Sequence, residues 1–248
     1  AIVIITLIIT VLGYREAVRI VEDEVQTANL AVLEQIKDIM DSILADCETV
    51  AFQIAMNSKV NALSSVKEPF KLPFYYELKE LVDSMSLYML KKEYLETAFV
   101  YLKNSQYIIT PETVYKSEFF YQHVFNYNDM GFSEWLSVML DANNNREYLP
   151  AVSTTIHDKG QIVIPYLQSI PIGYKKNNAG TVIILIKRDE IYNLLKRINK
   201  FGEGWFYIES RHKGIITSIA TKDQQIKYFN QEFGSAKGSI ETNVNGRN

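Results

Sequence analysis

Cysteine is almost absent: Cys47 stands alone in 248 residues, so no disulfide can form within the chain and a small disulfide-stapled scaffold is excluded. Proline and glycine are missing from one long early stretch. Between Gly13 and Pro69 there is neither, which leaves nothing to break a helix or to punctuate it with turns. Charge of one sign is not in excess either. A net charge of −3 and a pI near 5.7 provide no basic field, so direct contact with nucleic acid is not expected. No H-x-x-x-H, C-x-x-C, G-x-G-x-x-G or Walker A pattern occurs. His123, His157 and His212 are far apart, two of them in predicted turns, and Gly202-Glu203-Gly204 lacks a third glycine and reads as a turn. With no nucleophile and base, no metal cluster and no phosphate-cradling loop, neither an enzyme nor a cofactor is expected.

What is present begins at the amino terminus. Ala1 to Leu12 are all apolar or threonine, and they lead through Gly13 and Tyr14 into a charged segment. As a helix the apolar run spans about 18 Å, against a hydrocarbon core of about 30 Å. No initiator Met, basic n-region or A-x-A site accompanies it. The run is therefore expected to be the end of a transmembrane helix, with a signal-peptide remnant and a buried core helix as the other readings. Residues after about 14 are expected outside the cytoplasm, on a protein held in the cell membrane by this helix.

From Tyr14 to Asn57 the residues Val18, Val21, Val25, Ala28, Val32, Ile36, Ile39, Ile43, Cys47, Val50 and Ile54 recur at steps of three and four, the stripe of an amphipathic helix. Its length is about 66 Å, that of a stalk or of a helix laid along a whole domain flank. A dimeric coiled coil is the alternative, and a homodimer is expected. Shorter helices are predicted at Lys59–Val66, Tyr75–Leu90, Ser117–Phe125 and Ser133–Leu140, the last with Ser133 as N-cap. Thr97–Leu102 and Tyr107–Thr110 read as a hairpin.

Nine of the eleven glycines lie from Gly160 onward, and β structure punctuated by turns takes over. Ala151–Ile156 and Gln161–Ile170 flank a loop, 157–160, in which Gly160 is the residue best suited to positive φ. Pro171 ends that strand, Asn177–Gly180 is a turn, and Thr181–Ile186 is apolar enough for a central strand. Arg188–Asn199 is a helix with Ile191, Leu194, Leu195 and Ile198 on one face. Trp205–Ile208 and Gly214–Ile219 flank a further turn, and Lys222–Phe233 is polar. The pattern is an α+β fold with antiparallel sheet packed against helices.

The run Tyr148-Leu149-Pro150-Ala151, the strand Val163 to Pro171, the segment Gly180 to Ile186 with Ile191 and Leu194-Leu195, and Gly204 to Ile208 with Gly214-Ile215-Ile216 resemble the extracytoplasmic double-Cache sensor of membrane-bound AraC-type transcriptional regulators of Gram-positive bacteria. The resemblance covers nearly the whole chain. It implies tandem PAS-like (Cache) antiparallel sheets flanked by helices on a long N-terminal helix. The corresponding division is 1–14 as the transmembrane end, 15–57 as the stalk, 58–199 as the membrane-distal module with its connecting helix, and 200–248 as the start of a truncated membrane-proximal module. Sensor histidine kinases and chemoreceptors carry similar regions. The amino-acid-binding subset uses an Arg-x-Trp-Tyr signature, whereas Ser133-Glu134-Trp135-Leu136 has neither the Arg nor the Tyr.

Sixteen Tyr and twelve Phe are the positive signal for a ligand. Tyr101, Tyr148 and Tyr166 lie on or beside predicted strands, Trp135 on a helix that faces them, and Gln168 two residues from Tyr166 on one strand face. Tyr101, Tyr166 and Gln168 are expected to point into one cavity, where rings and a side-chain amide suit a neutral polar small molecule such as a sugar. The other reading is that these rings are core and half-buried surface in a Tyr-rich domain. The functional expectation is extracellular ligand sensing, against an adhesive ectodomain marked by an exposed aromatic patch.

Overall fold

The computed structural model describes residues 2–90, 92–140, 145–172, 178–198, 205–210 and 214–220. A single helix, α1 (Ile2–Met56), takes up the stretch without helix breakers. Its apolar stripe is buried only in the second half, at Ile36, Met40, Ile43, Cys47, Val50 and Ile54. The side chains described between Ile2 and Ala31 are exposed. Among the described residues no helix is long and apolar enough to cross a membrane.

Asn57 ends the run by capping α2 (Ser58–Ser64), its side chain accepting from the Lys59 amide. After Pro69 and Pro73, α3 (Phe74–Met89) buries Leu78, Leu81 and Met85 beside α1. The chain then enters a sheet: β1 (Leu95–Leu102), β2 (Tyr107–Ile109) and β3 (Val114–Lys116), each antiparallel to the last. The short helix α4 (Ser117–His123) and strand β4 (Phe125–Tyr127) lead to α5 (Phe132–Trp135), which runs into a π-helical turn at Leu136–Leu140. Strands β5 (Asn145–Tyr148), β6 (Val152–Ile156), β7 (Lys159–Ile170) and β8 (Gly180–Lys187) complete the main sheet, in the order β3-β2-β1-β8-β7-β6-β4 with β5 also on β7. Helix α6 (Arg188–Ile198) follows, burying Ile191 with α1, and β9 (Trp205–Ser210) pairs with β10 (Gly214–Ala220) in a separate two-stranded sheet.

The architecture is α+β. The PAS-like expectation required β7 and β8 to be antiparallel neighbours, and they pair from Val163↔Lys187 to Ile170↔Gly180. Alternation along the strands splits the core in two. Val182, Ile184 and Ile186 of β8 pack with α1, α2 and α3, while Ile183 and Leu185 pack on the opposite face with α4, β4 and α5. Both faces are covered, so β8 is buried from Gly180 to Ile186 and reads as a continuous apolar run.

Several local expectations change. The loop between β6 and β7 has two residues, His157 (φ 47°) and Asp158 (φ 64°), with Ile156 opposite Lys159. Two consecutive positive φ values make the primed turn that matches strand twist, so Gly160 is a strand residue opposite Thr155. Gly131 rather than Ser133 is the N-cap of α5, which lasts one turn before the π-helical segment. α4 stops at His123, releasing Phe125 into β4. Part of the Asn177–Gly180 turn, all of Gly202-Glu203-Gly204 and the polar stretch 222–233 lie outside the described residues.

Pro165, inside β7, has no amide to donate. Its carbonyl accepts from Leu149, so its missing N–H faces the same edge, where β5 hands over to β6. There Tyr148 is opposite Tyr166 and Val152 opposite Val163, which leaves one extra residue in the Leu149–Ala151 segment as a bulge.

Candidate ligand-binding face

The five sequence-predicted residues fall on two sides of the sheet. Tyr101 and Trp135 belong to the face covered by α4, β4 and α5; Tyr148, Tyr166 and Gln168 lie on the strand face that meets α1. The expected single cavity holding Tyr101, Tyr166 and Gln168 is therefore not formed. Tyr166 and Gln168 share a face by their spacing, but Tyr101 has the opposite parity in β1, where Ala98, Val100 and Leu102 point to α1.

The face away from α1 is a dense aromatic assembly. Trp135 is fully buried, with ring centroids 4.8 Å from Tyr121, 5.8 Å from Phe125 and 6.4 Å from Phe99. The Tyr121 hydroxyl donates to the Met130 carbonyl, tying α4 to the loop before α5. The indole Nε1–H of Trp135 is buried and completes no hydrogen bond of normal geometry. The Tyr127 hydroxyl neighbours it; burial pushes that phenol well above the ordinary tyrosine range, and the Trp135 side chain acts in the opposite direction. A buried donor left without a partner loses about 1–3 kcal/mol.

The floor of this assembly carries a polar row that periodicity alone does not single out. Tyr101 of β1 is opposite Thr181 of β8, and Thr181 is opposite Ser169 of β7. All three are buried. Strand parity turns Thr181 and Ser169 to the same side as Ile183 and Leu167, so hydroxyl-bearing side chains line up beside the aromatic row of Phe99. The legible signal was a small hydroxyl residue in each of two largely apolar runs, Thr181 in Gly180–Ile186 and Ser169 in Val163–Ile170.

On the α1 side the polar groups join elements. Tyr148 donates to the Leu44 carbonyl at 3.0 Å, and its ring lies 4.6 Å from that of Tyr166. The Tyr166 hydroxyl is buried without a partner, while Gln168 Nε2 donates to the Ser169 carbonyl at 3.3 Å. Burial pushes the Cys47 thiol far up, so it is not a thiolate nucleophile at neutral pH. Nearby, Asp46 accepts from Tyr94, and Lys92 Nζ lies 3.0 Å away.

The Tyr94 hydrogen bond, then Lys92, hold the Asp46 carboxyl below its usual range. A folded-state pKa below the unfolded one stabilises above the unfolded carboxylate range, and the contribution is lost as pH falls through the folded value. Asp46→Asn is therefore expected to lower the urea midpoint at pH 7, and the gap from wild type should close progressively below about pH 4. A gap independent of pH would show that Asp46 acts through packing instead.

Among the described residues no group of three or more His, Cys, Asp or Glu side chains is arranged to hold a metal. His123 packs on Phe119 at 4.6 Å, and His157 sits in the β6–β7 turn.

No protein-family model matches the sequence, and no curated protein does. Solved structures do. The chain is similar to the periplasmic sensory domain of a Campylobacter jejuni chemoreceptor, with a TM-score of 0.42 and 11% identity, over 69% of this chain and 64% of that one. It is also similar to the sensory domain of a second C. jejuni chemoreceptor with isoleucine bound, with a TM-score of 0.36 and 14% identity, over 78% and 73%. The same values hold for that receptor's ligand-binding domain in complex with L-valine.

Proposed function

We propose that the chain is the extracellular ligand-sensing region of a membrane-anchored bacterial signal-transduction protein, working as a binding module rather than an enzyme. The observation that carries this is the buried Trp135 donor, which completes no hydrogen bond of normal geometry, inside an aromatic assembly whose floor holds the Tyr101–Thr181–Ser169 row. A small molecule with an acceptor for the indole N–H and a flat or apolar body for Tyr121 and Phe99 matches that chemistry. The membrane anchor rests on the apolar run at Ala1 to Leu12, and the homodimer on the exposed stripe of Val18, Val21 and Val25. An AraC-type regulator, a histidine kinase and a chemoreceptor would each use such a region, and the output domain joined to it distinguishes them.

The test is thermal-shift screening of the protein against neutral sugars, amino acids and small carboxylates, with Trp135→Phe alongside. A ligand at one hundred times its dissociation constant stabilises by about 2.7 kcal/mol, roughly 5 °C or more for a domain of this size. The shift is expected in wild type and to fall by about half or more in Trp135→Phe. Equal shifts in both proteins place the site elsewhere. If nothing in the panel shifts wild type, the adhesive reading gains, since Phe70, Leu72, Tyr75 and Tyr76, near one another in sequence around Pro73, are all exposed.

A further inference from the structure

Strand β5 stands out mechanically. It follows a segment that starts at Trp135 and passes through a π-helical turn, a feature enriched where helices do functional work. On β7 its register slips between Asn145 and Glu147, and Arg146 between them has φ 60°, an unfavourable value for a residue with a side chain. At its other end lies the bulge of the Leu149–Ala151 segment. Between these irregularities, Tyr148 and Leu149 point to opposite faces: Leu149 is buried in the aromatic cluster with Trp135, and Tyr148 bonds the Leu44 carbonyl of α1. Strands β7 and β8 also present residues to both faces, but each is laddered along both edges, whereas β5 pairs with β7 alone among the described residues. The edge strand β3 also reaches both faces, through Val114 and Tyr115, and pairs with β2 alone; β5 is the edge strand that both abuts the Trp135 cluster and bonds α1, and it can move without taking the central sheet with it.

We propose that Tyr148 is the positioning residue that passes a change in the aromatic face to α1, a role that rests on the sensing reading above. Repacking around Trp135 displaces Leu149, the short ladder between the two bulges carries that displacement to its neighbour, and the Tyr148 hydroxyl draws or releases the Leu44 turn of α1. Lys92 and Tyr94 hold the adjacent Asp46 from a different strand connection, so they steady the same turn without receiving the signal.

The test needs no ligand, so its failure is separable from failure of the sensing reading. Hydrogen exchange is followed by mass spectrometry in α1 peptides covering Leu44 to Ala51, on the whole chain, in a double-mutant cycle of Trp135→Phe and Tyr148→Phe. Trp135→Phe is expected to speed exchange there about threefold or more in the wild-type background and less than about 1.5-fold in the Tyr148→Phe background. In a Tyr94→Phe background, which loosens the same turn through another contact, the threefold effect should persist. A residue that only stabilises α1 gives the same ratio in every background, and that result, or no effect of Trp135→Phe on α1, overturns the proposal. Should Trp135→Phe fail to fold by near-UV circular dichroism, Tyr121→Phe perturbs the same face and takes its place with the same expectations.

Discussion

Replacing Gly180 with alanine is expected to destabilise the protein by roughly 3 kcal/mol, the upper part of the range for overpacked sites. A Cβ at this position would lie 2.2 Å from the Tyr101 carbonyl oxygen, 3.4 Å from its carbon and 3.6 Å from Leu102 Cα. All three are backbone atoms of β1, so no rotamer change relieves the contact. The β1–β8 ladder has to open where Leu102 is paired with Gly180, next to the Tyr101–Thr181 pair of the candidate site. In urea unfolding the midpoint should fall with the slope unchanged, and any ligand found by screening should bind more weakly because the polar floor is displaced. A loss below about 1 kcal/mol would mean that the two strands stand further apart in solution.

Tyr166 separates ring from hydroxyl. Tyr166→Ala is expected to lower stability by about 3–5 kcal/mol, since a fully packed ring between Tyr148 and α1 is lost and the cavity cannot close against a helix held on both sides. Tyr166→Phe keeps the ring and deletes a buried hydroxyl that makes no hydrogen bond, so it is expected to be neutral or to stabilise by about 1 kcal/mol. Both are read from urea midpoints. A clear loss in Tyr166→Phe would reveal a partner for the hydroxyl, such as a buried water. Neither change should alter ligand affinity beyond its effect on folding, because the residue belongs to the α1 side.

Much of the fold was legible in residue order because the signals were long. Fifty-five residues of α1 contain no proline and one glycine, and no tertiary contact is needed to read them as helix. The runs of β7 and β8 were equally plain, as was the β1–β2 hairpin. Missed were β3, β4 and β5, each of three or four residues, whose strand state comes from pairing with a neighbour and not from their own composition. Glycine is the usual host of positive φ, so the sequence points to Gly160 for this turn; here the twist of β6 and β7 imposes it on His157 and Asp158. The site was less legible than the fold for a related reason. Spacing along β7 put Tyr166 and Gln168 on one face, but which face Tyr101 shares depends on how β1 is registered against β8, and no property of β1 alone states that.

The clamped and free parts of α1 set a mechanical ratio. Burial begins at Ile36, and from there back to Ile2 the helix extends about 51 Å. A tilt of about one degree around Ile36 would carry the far end through about 0.9 Å, given that length. The sheet can therefore repack by amounts smaller than a bond length and still shift the distal tip of the arm by a distance that neighbouring side chains must accommodate. Stiffness over that arm matters as much as the contact that drives it. A helix with no proline and no glycine between Gly13 and its end, at Met56, loses little of the motion to bending on the way.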